Sequence, residues 1–522
     1  MTTNLQLHRT RFPQWQRLAS GWWAGQVFAD GHWLQLEELN ERLGLVHSAD
    51  DLATCLADWN GSFALVWEGP AQTFVAVDIA RSIPLFWQTA AGVTTITDQL
   101  DPAQAAPSGW LKEDWLVQTE FVPGHHTLLQ GWQQLQAGEF LEIRDGFCYL
   151  HNYFPHRRPA EVSQDREDLK KQFSALIRAQ TERLVSWAAG RTIVVPLSGG
   201  YDSRYILAAL HQQGYPHLQA FTYGQADSWE VATARKVATT LGIDWQFVPY
   251  TSELLQKYWH TDWPAFAQYA SNCAAIPQEQ DYFALAHLRD TGWLAADSII
   301  CPGYCGDFQA GSYLPGNYFL WPWRRTKALQ DLLYHRFTRY PTHERRQRWQ
   351  PFLPQQKMHD PAEIVSEIEH WALREYVSKF IINGVRAYEW FDCSWYLPLW
   401  DREFIRFWQN VPNAYRKDLQ LYREVLAADW FAPLGITYPE DEQNLALRRW
   451  WEDWLTVGAK AKLKQWRRPQ KITDINGLQA LVPLIQQELG WPEADHTKSV
   501  NEMLGHWYTK KLKVLTNQKT TT

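Results

Sequence analysis

Ser198, Gly199, Gly200, Asp202 and Ser203 fall within six positions of each other, in the stretch VVPLSGGYDSRY at 194–205. Paired glycines let a backbone approach an oxyanion closely, and both serines offer hydroxyl donors. Asp202 is placed to hold a cation beside bound phosphates. Such chemistry needs a helix N-terminus, where amide groups lack internal acceptors and the dipole attracts anions. The flanks predict one. Thr192–Leu197 is a short apolar run that reads as a buried parallel strand, and Tyr205, Ile206, Leu207, Ala209 and Leu210 give the apolar face of a helix ending near Gly214. The G-x-x-x-x-G-K-[ST] spacing of a Walker loop is absent. Arg204 reaches either the phosphates or the helix surface; both readings stand.

The rest of the chain supplies the frame. Its 522 residues suggest two to four domains. Lys and Arg number 50 against 57 Asp and Glu, a net charge of −7, which argues against a general nucleic-acid or membrane-surface binder. The 31 tryptophans imply aromatic-rich cores and leave room for a stacking surface. Six cysteines show no framework spacing and no C-x-x-C pair, so neither disulfides nor zinc are expected. No apolar run is long enough to cross a membrane, and the cytoplasm is the expected setting. A helix at Leu34–Leu43 and another at Asp50–Trp59 precede strands at Ser62–Trp67, Thr73–Asp78, Ile83–Gln88 and Val93–Thr97. Asp145-Gly146 predicts a tight hairpin between Glu139–Ile143 and Phe147–Leu150. His151–Asp168 reads as a linker. His217–Tyr223, Trp229–Leu241 and Asp244–Tyr250 then read as strand, helix and strand, the signature of a parallel sheet.

Several of these segments together resemble the asparagine synthetase family. The S-G-G-x-D-S loop resembles that of the ATP-pyrophosphatase (PP-loop) enzymes, which split ATP into an adenylate and pyrophosphate. DIARSIPLFW at 78–87, NGSFALVWEG before it and the segment 122–143 resemble the glutaminase domain of asparagine synthetases. The resemblance implies an α/β chain. An N-terminal-nucleophile (Ntn)-like αββα sandwich, residues 1–155, is followed at 165–515 by an adenine-nucleotide α-hydrolase-like (PP-loop) parallel-sheet domain with a helical C-terminal part. That family opens Met-Cys-Gly, whereas Thr2 stands here and no cysteine precedes Cys55; only residues 1–24 precede Gly25. The first domain is therefore expected to be a silent scaffold, with Thr2 as a replacement nucleophile the weaker alternative.

The resemblance also implies roles. Phe221 and Tyr223 lie at the adenine edge, with Glu230 either a nearby partner or a solvated carboxylate. IICPGYCGDFQAGS at 299–312 matches the family's second glycine-rich segment at Gly303, Asp307 and Gly311, with Tyr304 where the family has glutamate. β-Lactam and carbapenam synthetases read G-Y-G-x-D there. Asp202 and Asp307 suit Mg²⁺ on a triphosphate, since octahedral Mg²⁺ takes one or two carboxylates and fills its shell with water and phosphate. Tyr304 sits where an attacking amine must lose a proton, and a tyrosine needs a tuning neighbour to act as a base. Glu389 is the expected neighbour; the alternative is that it pairs with Arg386. The family's late lysine falls on Lys417 or Lys471, between which the sequence does not choose. The aromatic stretch 309–390 is expected to shape an acceptor pocket or to pack as core.

The expectation is an ATP- and Mg²⁺-dependent ligase that adenylates a small-molecule, peptide or sugar-acid carboxylate and joins it to an amine or ammonia, in natural-product or surface-polysaccharide chemistry. A genuine asparagine synthetase is the alternative. A tRNA-thiolating PP-loop enzyme or a dead scaffold represents other classes. No nucleic-acid partner and no membrane insertion are expected, and a homodimer is left open.

Overall fold

The computed structural model describes residues 2–104, 106–107, 114–158, 164–314, 325–358, 360–438, 474, 476–491 and 498–517. Among the described residues, eleven strands precede residue 153: β1 (Thr2–Gln6), β2 (Gln16–Leu18), β3 (Gly21–Ala29), β4 (His32–Trp33), β5 (Asn60–Glu68), β6 (Gln72–Val77), β7 (Phe86–Ala90), β8 (Val93–Thr97), β9 (Gln133–Gln134), β10 (Glu139–Arg144) and β11 (Phe147–Asn152). They form two sheets, one ordered β1-β8-β7-β9 and one ordered β11-β10-β6-β5-β3-β2, with β4 paired to β3. Phe63, Ala64, Leu65 and Val66 of β5 are all buried, so this strand is covered on both faces. Gly25 in β3 has φ +126, and a Cβ there would lie 2.1 Å from the Ser62 carbonyl oxygen, so the strands close up only over glycine. Between β4 and β5 run α1 (Leu36–Gly44) and α2 (Ala49–Ala57), each burying a pair of leucines four apart. The hairpin turn forms at Asp145 and Gly146 as expected, both with positive φ.

The linker expectation is shortened at both ends. His151 and Asn152 belong to β11, and Asp165 already caps the next long helix. After α3 (Trp115–Thr119) comes α4 (Arg166–Ala188), then the second sheet unit. β12 (Ile193–Pro196), β13 (Leu218–Gly224), β14 (Asp244–Pro249), β15 (Ile299–Ile300) and β16 (Ser394–Trp395) pair in the order β14-β13-β12-β15-β16, every neighbour parallel. β12 alternates cleanly: Ile193 and Val195 enter one core and Val194 the other. α5 (Tyr201–Gln212) and α6 (Trp229–Leu241) make the first two crossovers. The winding reverses at β12, so the β12–β15 gap is the switch point outside whose carboxyl ends ligands bind.

The chain is therefore mixed α/β, with a two-sheet N-terminal unit followed by a parallel sheet and helices. The N-terminal sheets share one apolar core with the second unit, running from Trp23 and Phe63 through Val194 to Trp395 and Trp507. Buried polar contacts tie the same seam. Lys379 Nζ donates to the carbonyls of Val122 (3.1 Å) and Gly124 (2.7 Å) and pairs with Glu375 at 2.6 Å. Trp59, Trp115, Trp259, Trp263, Trp349, Trp395, Trp408, Trp430 and Trp507 are all essentially inaccessible and Trp23, Trp67, Trp87, Trp371 and Trp400 are buried too, so most of the described tryptophans are core. Among the described residues no helix is long and apolar enough to cross a membrane.

Candidate active site

β12 ends at Pro196, and the loop Leu197–Gly200 delivers the chain into α5. Gly200 is the N-cap of that helix, and no side chain caps it, so the amides of the first turn keep their affinity for an external anion. The loop is braced from within. The Ser198 amide donates to Ser203 Oγ at 3.0 Å, the Gly200 amide donates to Ser198 Oγ at 3.1 Å, and the two hydroxyls are 3.1 Å apart. Arg204 is fully buried, and its Nη2 donates to the Gly199 carbonyl at 2.8 Å. Of the two readings of Arg204, neither the phosphates nor the helix surface is what it meets: it holds the loop's shape from behind.

The stretch after β15 packs directly onto this helix start. A Cβ on Gly303 would lie 2.7 Å from the Ser203 amide nitrogen, so only glycine permits the approach. The close packing brings Asp307 to Asp202. The Asp307 amide donates to Asp202 Oδ2 at 3.2 Å, and Tyr422 Oη donates to Asp202 Oδ1 at 2.6 Å. Burial, and then the neighbouring Asp307, push the Asp202 carboxyl up from its ordinary range; burial likewise pushes Asp307 up. Two carboxylates held together at a helix N-terminus are short of positive charge. Arg423 and Arg336 are the cations Asp307 feels.

Ser198, Gly199, Gly200, Asp202, Ser203, Phe221, Tyr223, Glu230, Gly303, Tyr304 and Asp307 all line one cleft of about 700 Å³ at the switch point. Burial raises the Glu230 carboxyl. Trp229, 47% exposed, stands over the loop, where a Cβ on Gly199 would meet its ring at 2.5 Å.

Two expected residues are not where the sequence put them. Glu389 does not touch Tyr304. It is completely buried, 2.9 Å from both Arg9 and Arg386, with Trp395 Nε1 donating at 2.9 Å and Tyr269 Oη also bonded to it. The Arg386 alternative is thus the one that holds, extended to a staple onto the N-terminal segment. The reason is helical phase: neighbouring residues on a helix point about 100° apart. Tyr388, one position earlier, is the residue that faces Tyr304. Lys417 is exposed and does not line the cleft, whereas Arg423 does. Lys471 lies outside the described residues, as do Tyr318, Phe319, Trp321 and Trp323 of the aromatic stretch.

Asp281 is the residue the sequence reading missed. It lines the cleft at only 5% exposure and accepts hydrogen bonds from Tyr304 at 3.1 Å, from Tyr388 and from Tyr223. Its only sequence signal was a polar run, Gln278–Asp281, immediately before the apolar helix Tyr282–Asp290. All six cysteines are free, and among the described residues no cluster of three metal-ligating side chains occurs.

Comparison with known proteins adds the family. Residues 174–428, just under half of the chain, match the asparagine synthase family. The chain is also similar to two curated 7-cyano-7-deazaguanine synthases. It is 51% identical over 51 residues to that of Frankia casuarinae and 49% identical over 53 residues to that of Kineococcus radiotolerans. Each match takes in 10% of this chain and spans only about a fifth of the relative's length, 22% and 23%. Among solved structures, a glutamine phosphoribosylpyrophosphate amidotransferase from B. subtilis, complexed with ADP and GMP, is 12% identical over 46% of this chain and 73% of its own, with a TM-score of 0.18. An allosteric regulatory enzyme of purine biosynthesis is 11% identical over 46% and 62%, with a TM-score of 0.16. Scores this low leave the architecture to be read from the chain itself. Over residues 174–428 the chain is similar to the asparagine synthase family, and that similarity indicates an enzyme of the asparagine synthetase type.

Proposed function

We propose that the cleft at the β12–β15 switch point binds ATP and makes an amide through an acyl-adenylate. The observation that carries this reading is the convergence of an uncapped helix N-terminus with the Asp202–Asp307 pair, in a domain whose family points to an ATP-dependent carbon–nitrogen ligase. The phosphates lie on the Ser198–Ser203 loop and the adenine against the Phe221–Tyr223 edge. Asp202 and Asp307 fit Mg²⁺, because both are carboxylates that burial disfavours as anions and that a divalent cation would relieve. When bound there, the ion supplies charge neutralisation to the triphosphate. Arg423 takes the place sought for a lysine, as a fixed cation for charge developing on the phosphates.

In the first step a carboxylate oxygen of the acid substrate attacks the α-phosphorus, and the bond to pyrophosphate breaks. In the second an amine nitrogen attacks the acyl carbon, and AMP leaves. Trp229 narrows the cleft over the phosphate loop, its ring standing at Gly199. An amine is favoured over ammonia delivered from glutamine. The position of the family's N-terminal cysteine is Thr2, and its backbone is paired to Val93 within a sheet. ATP–pyrophosphate exchange against amino acids, uronic acids and peptide acids tests the reading. Exchange with at least one acid is expected, and exchange with none, together with no ATP binding, would sink it.

A further inference from the structure

Three tyrosine hydroxyls converge on one nearly inaccessible carboxylate. Tyr223 comes from β13, Tyr304 from the stretch after β15, and Tyr388 from the helix Val385–Trp390, and all three bond to Asp281. Tyr388 and Tyr304 hydroxyls are also 2.8 Å apart. The helix comes this close because Gly384 precedes it: a Cβ there would lie 2.5 Å from Tyr304 Oη. A buried carboxylate is costly unless hydrogen-bonded, and a purely structural solution would surround it with backbone amides. Here the partners are ionisable hydroxyls, and Tyr304 and Tyr223 open onto the cleft.

Resting on the adenylating reading, we infer that Asp281 is the proton acceptor of the amide-forming step, acting through Tyr304. The amine, neutral once its ammonium proton has gone to solvent, forms its bond to the acyl carbon as the carbon–oxygen bond to AMP breaks. Its proton passes to Tyr304 Oη, whose own proton moves along the existing hydrogen bond to Asp281. The single hydroxyl proton of Tyr388 is within reach of both Asp281 and Tyr304. It turns to Tyr304 as negative charge develops there, so the phenolic oxygen is never left bare. Tyr304 is the catalytic residue, because it meets the amine; Asp281 and Tyr388 are positioning residues. The site takes a basic amine rather than an amino-acid acceptor. Beyond the Asp202–Asp307 pair assigned to Mg²⁺, Asp281, Glu230 and Asp474 line it against Arg423 alone among the described lining side chains, so a cationic amine is attracted and a second carboxylate repelled.

The test separates the two half-reactions, using whichever acid supports exchange and ammonium chloride or ethanolamine as the amine. Hydroxylamine, neutral at pH 7 and needing no base, traps the adenylate in parallel. Asp281→Asn and Tyr304→Phe are expected to lower amide formation at least ~100-fold, while exchange and hydroxamate formation fall far less, by under about tenfold. Asp281→Glu restores part of the amide rate, and Tyr388→Phe gives a smaller loss. Amide formation within about tenfold of wild type in Asp281→Asn would overturn the inference. So would exchange falling in step with it, since that is what loss of a cleft wall would do. If wild-type protein exchanges no acid, the adenylating reading itself fails and takes the inference with it.

Discussion

Asp78 in the N-terminal unit and Asp202 in the cleft are both carboxylates that burial pushes up from the usual range, yet their surroundings differ. Asp78 is consumed by its own segment. The amides of Phe63, Ala80 and Ser82 donate to it at 3.0, 2.8 and 3.1 Å, and the Ser82 hydroxyl also bonds to it. Arg81 beside it is spent likewise on the Leu135 carbonyl and Gln134, each at 2.7 Å. Asp202 accepts from the Tyr422 hydroxyl and the Asp307 and Gly306 amides, but unlike Asp78 it lines an open cleft and has a second carboxylate, Asp307, beside it. A buried acid whose lone pairs are all taken holds a fold together. One left facing a like charge is poised for a ligand. Segment 78–87 thus spends its charged groups on its own fold, whereas the switch point keeps a carboxylate pair open to the cleft.

Asp202→Asn is the sharpest way to break this contrast. Pyrophosphate exchange should fall by at least ~10³-fold, the scale of a lost electrostatic element in a preorganised site. Thermal unfolding should stay at the wild-type temperature or slightly above it, because a like-charge contact is removed. Asp78→Ala should do the reverse. Orphaned buried amides cost ~1–3 kcal/mol each, so denaturant melts should show a loss of about 3 kcal/mol or more, with exchange per folded molecule preserved. Gly303→Ala lies between them. The added methyl must push the loop from the Ser203 amide, and the expected result is roughly a tenfold weaker ATP affinity by titration calorimetry, on the scale of ~1.4 kcal/mol, with little change in stability.

The smallest effect concerns Glu279, two residues before Asp281. Burial pushes its carboxyl up to about 8 from 4.5. A raised acid binds more protons folded than unfolded, so its contribution to stability declines as pH rises from 4.5 towards 8 and levels off beyond. Glu279→Gln should flatten that decline, gaining on the order of 1 kcal/mol at pH 8 relative to pH 5 in urea melts. A decline as steep as wild type would place the titration elsewhere.

What was legible in the sequence was what adjacency encodes. Strand, glycine turn and helix lie within Thr192–Gly214, so their geometry follows from local rules. Gly303 and Asp307 were readable because the resemblance carried them. Asp281 was not, because a residue in an irregular loop is delivered by the path of the whole chain, and only packing reveals that three tyrosines meet there. Glu389 and Tyr388 show the limit for helices. A motif fixes the segment, but a one-residue difference in phase decides which side chain faces the cleft and which faces Arg9. Lys417 shows a further limit: the cation that lines the cleft is Arg423, six residues on, beyond the left-handed backbone of Asp418 and Leu419.

The central claim is that the acid is activated as an adenylate in this cleft, and isotope transfer tests it most directly. An acid that supports exchange, labelled with heavy oxygen in its carboxylate, is turned over with ATP and an amine, and the products are weighed by mass spectrometry. The account predicts one labelled oxygen in AMP and the other retained in the amide, with pyrophosphate unlabelled. Label appearing in inorganic phosphate, with ADP as the nucleotide product, would contradict it.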